Sequence, residues 1–219
     1  MKQAFAAGAG ACLVLATTPA LALDRGDWLL RWGPTWVLPN DDSGEVRPLG
    51  VEGVSVDDAA AFGISLTYMM SPHLGLELLA ATPFRHDINS SGDLAGVVPG
   101  RIGTTKHLPP TLSLQYHFPT PGNWRPYVGA GINYTYFFDS ETRGELRDAG
   151  YDRLSLDDSW GWSVQAGLDV DLGERWFLGA TAYYMAIDTT ATASGGPGDL
   201  TVDVDIDPWV LKIGAGRRF

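Results

Sequence analysis

The chain has 219 residues and a formal net charge of −11. That acidic balance excludes nucleic acid as a partner, because phosphate binding needs a basic surface. Its single cysteine, Cys12, excludes a disulfide framework. Past the first segment no run reaches the roughly 18 apolar residues of a spanning helix, but that does not exclude a membrane barrel, whose strands hide their signal in alternation.

The chain opens with the charged Lys2, continues through the apolar, small-residue stretch Ala4 to Ala16, and reaches Ala20-Leu21-Ala22, which has the form of a signal-peptidase site. Residues 1–22 are therefore expected to be a cleaved signal peptide that takes Cys12 with it, leaving residues 23–219 as the mature domain. Period-2 alternation then predicts strands. The first, near Trp28 to Val37, sets Trp28, Leu30, Trp32 and Trp36 against Arg31, Gly33 and Thr35. The Gly-, Asp- and Pro-rich segment 38–58 reads as a long loop. A second strand near Ala60 to Met70 is followed by the tight turn Ser71-Pro72-His73, and a third runs near Leu74 to Thr82. After the polar stretch 83–106 the fourth strand alternates Leu112, Leu114 and Tyr116 with Thr111, Ser113 and Gln115. The fifth carries Val128, Ala130, Ile132, Tyr134 and Tyr136 on one parity. A long loop over 139–158, with a short helix in its 141–150 part, leads to the sixth strand at Trp160 to Val170. A short turn leads to the seventh at Trp176 to Met185, the 188–203 loop follows, and the eighth strand ends the chain at Phe219.

Long and short connections alternate strictly, and aromatic residues flank the apolar parity. These features predict an all-β, eight-stranded antiparallel transmembrane β-barrel with short periplasmic turns and long extracellular loops, in the outer membrane of a Gram-negative bacterium. Closure is required because hydrocarbon cannot satisfy a free sheet edge. A soluble barrel with apolar residues inside is disfavoured, since the other parity is rich in Gly, Ser, Thr and charge.

If the wholly apolar parity meets lipid, the lumen near the short turns receives Arg31, Glu77, Gln115, His117, Asp169, Lys212 and Arg218. Opposite charges in a narrow barrel neutralise one another and form a plug. Nearer the long loops the inward residues are Leu79, Ala81, Phe137, Tyr183 and Met185, a lining for an apolar ligand. An apolar solute entering from the loop side would meet a blocked floor and leave sideways into lipid. Pro83, Pro109 and Pro110, near strand ends, either simply end those strands or favour such an opening, because each lacks a ladder donor.

Several blocks carry a resemblance: Gly75 to His86 (GLELLAATPFRH), His107 to Leu112 (HLPPTL), Arg125 to Tyr134 (RPYVGAGINY), Leu154 to Gly161 (LSLDDSWG), Ile187 to Ala191 (IDTTA), and Asp207 to Val210 with terminal Phe219. With these the chain resembles the OmpW family of outer-membrane proteins, which includes alkane-uptake relatives. The resemblance implies a hydrophobic channel closed toward the periplasm and narrowed at the positions of Leu79 and Tyr183. It also implies that Phe219 is an assembly signal read by the barrel-assembly machinery.

The leading expectation is a channel for passive uptake of small hydrophobic molecules, without cofactor or metal, surrounded by outer-membrane lipid and lipopolysaccharide. Acid clusters such as Asp203, Asp205 and Asp207 read as solvated loop faces, or as cation bridges to anionic headgroups. A structural or receptor barrel with a filled lumen and functional surface loops is the alternative. An enzyme using His86, Asp87, Ser90 and Ser91 is not expected, because their spacing fits no nucleophile–base–orienter set. The four histidines show no metal-ligand spacing in sequence.

Overall fold

The computed structural model describes residues 22–219. Residues 1–21 of the expected signal peptide lie outside them. Eight long strands form the barrel wall: β1 (Trp28–Leu38), β2 (Ala59–Met69), β3 (Leu74–Ala81), β4 (Thr111–His117), β5 (Trp124–Thr142), β6 (Ser159–Asp171), β7 (Trp176–Met185) and β8 (Trp209–Arg218). Each pairs antiparallel with its sequence neighbours, and β1 pairs with β8, so the sheet has no membrane edge.

The alternation is inside-out relative to a soluble core. Leu78 is 51% exposed and Ile213 57%, whereas their strand neighbours Glu77 and Lys212 are 0% and 3% exposed. Only a lipid solvent makes that distribution favourable. Exposed aromatics form two belts. Trp28, Trp124 and Trp176 stand near the short turns, and Trp36, Tyr136, Trp160 and Trp209 near the long connections.

The long connections are long as expected, but much of each is sheet rather than irregular loop. The strands Phe84–Ser90 and Arg101–Leu108 form a hairpin that continues the wall upward, pairing with the top of β5 through Phe137↔His107 and taking Val54–Val56 on its far edge. A separate four-stranded sheet joins Arg153–Leu156, Asp188–Ser194, Leu200–Asp205 and Asp42–Ser43. The expected short helix is Gly144–Asp148, with Leu146 buried. Leu200, Val202, Val204 and Ile206 point into an apolar cluster shared with Ile88, Ile102 and Phe137, while Asp203 and Asp205 face outward. The acidic cluster is thus one face of a strand, and its charge had masked the period-2 pattern beneath it.

The seam between β1 and β8 has a constraint of its own. The paired register skips from Trp32↔Ala215 to Thr35↔Lys212 around Gly33 and Pro34, because proline offers no ladder donor. Here the two backbones approach so closely that a Cβ on Gly33 would lie 2.1 Å from the Ile213 carbonyl oxygen, and one on Gly214 would lie 1.9 Å from that of Trp32. Backbone atoms cannot swing aside as a side chain can. Gly33→Ala is expected to cost about 1–3 kcal/mol, the usual size of an overpacking penalty, and to lower the urea midpoint at which the compact barrel band is lost on an unheated gel.

Candidate functional site

The lumen floor is built from charges that face each other across a narrow barrel. Arg31 on β1 donates through Nε to Asp169 Oδ1 at 3.1 Å and through Nη2 to Oδ2 at 2.8 Å. Its Nη1 donates to Thr67 Oγ1 at 2.8 Å and lies 3.7 Å from Glu77 Oε2. Glu77 Oε1 accepts from Gln165 Nε2 at 3.1 Å and from the Tyr183 hydroxyl at 3.2 Å. Gln115 donates to Gln165 Oε1 at 3.1 Å, and its own Oε1 lies 3.1 Å from His117 Nε2. Lys212 donates to Ser65 Oγ at 2.6 Å. All these groups are buried, and the network crosses from wall to wall.

Six of the seven expected plug residues are therefore brought together. Arg218 stands lower, at the periplasmic rim, 2.8 Å from Asp27. The plug also has members not singled out from the sequence. Tyr127 and Phe177 lie under the Arg31 guanidinium at 4.9 Å and 5.5 Å, and Arg125 sits over Phe177 at 4.9 Å while pairing with Asp171. Each lies on the inward parity, so its direction was readable. Its partner was not.

Above the floor the lining turns apolar. Leu79, Phe137, Tyr183 and Met185 are buried in one cluster, with Ala81 half-buried against it. Tyr183 belongs to both zones: its hydroxyl bonds Glu77, and its ring faces the Lys212 ammonium at 5.6 Å. Higher still, the two extracellular sheets enclose a cavity of about 30 Å³ touching Val37, His86, His107, Phe137, Ile187 and Ile206. A second of about 60 Å³ touches Val54, Ile88, Ile102, Leu146, Leu154 and Leu200. Most of this apolar chamber thus comes from segments that read as polar loops.

His86 and His107 meet inside the chamber, Nε2 to Nε2 at 2.9 Å, and His86 Nδ1 lies 2.6 Å from the Asp57 carbonyl oxygen. The other polar residues of that hairpin go elsewhere. Asp87 pairs outward with Arg101 at 2.7 Å, and Ser90 donates to the Gly100 carbonyl. No nucleophile–base–orienter set is assembled from them. Among the described residues no group of three or more metal-ligating side chains occurs. Burial, and next the neighbouring His86, draw the His107 pKa down from 6.5 to about 3. Burial also lowers that of His86, opposed by its bond to the Asp57 backbone.

A closed eight-stranded barrel with two aromatic belts, an ionic floor and an apolar chamber above the membrane defines a small outer-membrane barrel protein. The OmpW family profile matches residues 24–219, and the chain belongs to that family. It is 43% identical over 220 residues to outer membrane protein W of Vibrio cholerae serotype O1, covering 100% of both chains. It is 30% identical over 200 residues to the dibenzothiophene metabolism operon protein PahQ of Pseudomonas aeruginosa, covering 90% of each. The crystal structure of OprG from Pseudomonas aeruginosa superposes with a TM-score of 0.82 at 38% identity, covering 90% of this chain and 97% of that one. The protein is accordingly a Gram-negative outer-membrane barrel.

The floor and the chamber each yield an expected outcome. Arg31→Leu leaves Glu77 buried beside no guanidinium and Asp169 with only that of Arg125, 3.6 Å away, and is expected to destabilise the barrel by about 3–5 kcal/mol in urea unfolding within lipid vesicles; adding Asp169→Leu should recover part of that loss. The histidine pair sets a pH dependence. Because the folded chamber holds both rings neutral, unfolding takes up protons below pH 6.5, so their contribution is complete above that value and declines as pH falls toward about 3. Hydrogen exchange, corrected for its intrinsic pH dependence, should therefore show residues 84–108 losing protection between pH 7 and 5, with the floor strands unaffected.

Proposed function

We propose that the protein passes small hydrophobic molecules across the outer membrane by a route that enters the extracellular chamber, turns at the ionic floor and leaves sideways through the wall. The observation that carries this reading is the β3–β4 ladder. Its last barrel pair is Leu79↔Thr111, and pairing resumes only at Phe84↔His107. Pro83 lies on one side of the interruption, and Pro109 and Pro110 on the other. The rims are tied away from each other: Thr82 N donates to the Phe62 carbonyl on β2 at 2.8 Å, and the Pro110 carbonyl accepts from Tyr134 N on β5 at 3.1 Å. The break stands at the height where apolar lining meets the plug. Straight passage to the periplasm would have to dismantle the Arg31–Asp169–Glu77 network, which costs several kcal/mol.

In this reading Leu79, Ala81, Phe137, Tyr183 and Met185 form the passage, with Leu79 and Tyr183 at its narrow point above the plug. The relative whose name places it in a dibenzothiophene operon supports an apolar solute. Residues 1–22 would be removed as a signal peptide. Phe219 would serve as the assembly signal for the barrel-assembly machinery, in keeping with its exposed ring and its backbone pairing to Trp28 at 2.9 Å. Lipopolysaccharide would surround the upper belt. The receptor alternative draws on the filled floor, and it predicts no transport at all.

Uptake of an alkane into vesicles holding the purified protein is the test. Leu79→Arg and Tyr183→Arg should each reduce uptake to the protein-free rate while the folded band persists. A short bis-maleimide bridge between Thr82→Cys and Leu108→Cys should do the same if the exit lies between β3 and β4. Unchanged uptake in both arginine variants overturns the lumenal route, and unchanged uptake in the bridged protein alone overturns the lateral exit.

A further inference from the structure

The histidine pair lies in a mainly apolar chamber, and its hydrogen-bond directions follow from one fixed point. A carbonyl oxygen only accepts, so His86 Nδ1, 2.6 Å from the Asp57 oxygen, carries a proton. In a neutral ring the other nitrogen, Nε2, is then bare. It accepts from His107 Nε2–H across the 2.9 Å contact. His107 Nδ1 is left as a bare acceptor, and it is a buried atom with no protein hydrogen-bond partner. His107 is itself 5% exposed and lines the lower cavity.

The surroundings place this acceptor beside the chamber. His107 pairs with Phe84 on one side and Phe137 on the other in a single cross-strand row. Its ring lies 5.4 Å from Phe84 and 5.8 Å from Phe137, tilted by 33° and 23°. Both ring flanks are thereby covered, and the surface His107 gives the lower cavity is apolar while the sheets are closed, so Nδ1 is reached only when they part. The hydroxyls beside it are committed: Thr105 pairs with Ser140 at 2.8 Å and Thr189 donates to the Asp157 carbonyl at 2.7 Å. A water molecule needs two to four polar partners to be held in a cavity, and the closed lower cavity presents an apolar surface.

Resting on the uptake reading above, we infer that the chamber, once its sheets part, selects small apolar molecules carrying a single hydrogen-bond donor, a hydroxyl or a ring N–H, which is received by His107 Nδ1 while the apolar body lies against Phe137 and Ile187 of the lower cavity. A molecule with no donor leaves the acceptor unpaired, and one with several donors buries polar groups without partners; both are penalised. The cavities as they stand, about 30 and 60 Å³, are smaller than an aromatic ring needs. Binding therefore entails parting the two extracellular sheets, which share no strand ladder.

Phenol and toluene are the matched probes, nearly identical in shape with a hydroxyl in place of a methyl. The protein in lipid nanodiscs, labelled with ¹⁵N-histidine, is titrated with each and the affinities are corrected for partition into lipid. Phenol should bind ~5-fold more tightly than toluene, the size of one net hydrogen bond, and should shift the His107 Nδ1 resonance. His107→Phe should abolish the preference while toluene still binds. Equal corrected affinities in the unsubstituted protein, or an Nδ1 resonance unmoved at phenol saturation, overturn the inference and leave the uptake reading intact; these two readouts need no variant to fold. Binding of neither probe overturns the inference, and failure of the separate alkane-uptake test alone would count against the route.

Discussion

Every backbone amide and carbonyl that crosses hydrocarbon must find its partner within the protein, and the rest of this structure follows from that constraint. It demands a closed ring, and with eight strands the ring is narrow. The seam where β1 meets β8 shows how tight the demand is. Gly33 faces Gly214 there with no room for a side-chain carbon, and the chain terminus is tied back to Trp28 by reciprocal backbone bonds.

A narrow ring leaves little room for water, so inward polar groups must satisfy one another. The cheapest arrangement for a buried charge is an opposite charge with its remaining lone pairs occupied. The Arg31–Asp169 fork, braced by Thr67 and Glu77, has that form. Glu77 is in turn held by Gln165 and Tyr183. The floor is therefore a consequence of barrel size as much as a functional feature. Above it the extracellular strands extend the barrel into an apolar chamber that water has little reason to fill.

The chamber differs in construction from the barrel below it. Its walls are two sheets that meet through apolar side chains rather than through a ladder. Dispersion contacts are weaker and less directional than backbone pairing, so these sheets can part more readily than the wall below them. Within them the His86–His107 pair is the main polar discontinuity of the lower cavity. Membership of the OmpW family agrees with the barrel and with its place in the outer membrane.

Alternation along the chain was sufficient for strand number, inward and outward faces, and the sites of the short turns, because in a barrel each side chain's direction is set by parity alone. Arg31, Glu77, Gln115, His117, Asp169 and Lys212 were legible as inward residues for that reason. Their pairing was not, since partners such as Arg31 and Asp169 lie far apart in sequence and meet only when the ring closes at its particular stagger. The chamber was hidden for a different reason. In Leu200 to Ile206 an apolar parity is interleaved with aspartates, and glycines and prolines interrupt the other connections, so a window read for hydrophobicity sees a loop. The sequence by itself determined that a barrel forms and which side chains look inward, because both depend on local periodicity. Only the tertiary structure decided that the Tyr183 hydroxyl meets Glu77 while its ring lies in the apolar cluster, that the wall pairing breaks between Leu79 and Phe84, and that His86 meets His107. Those are contacts across strands, fixed by register and stagger that no single segment encodes.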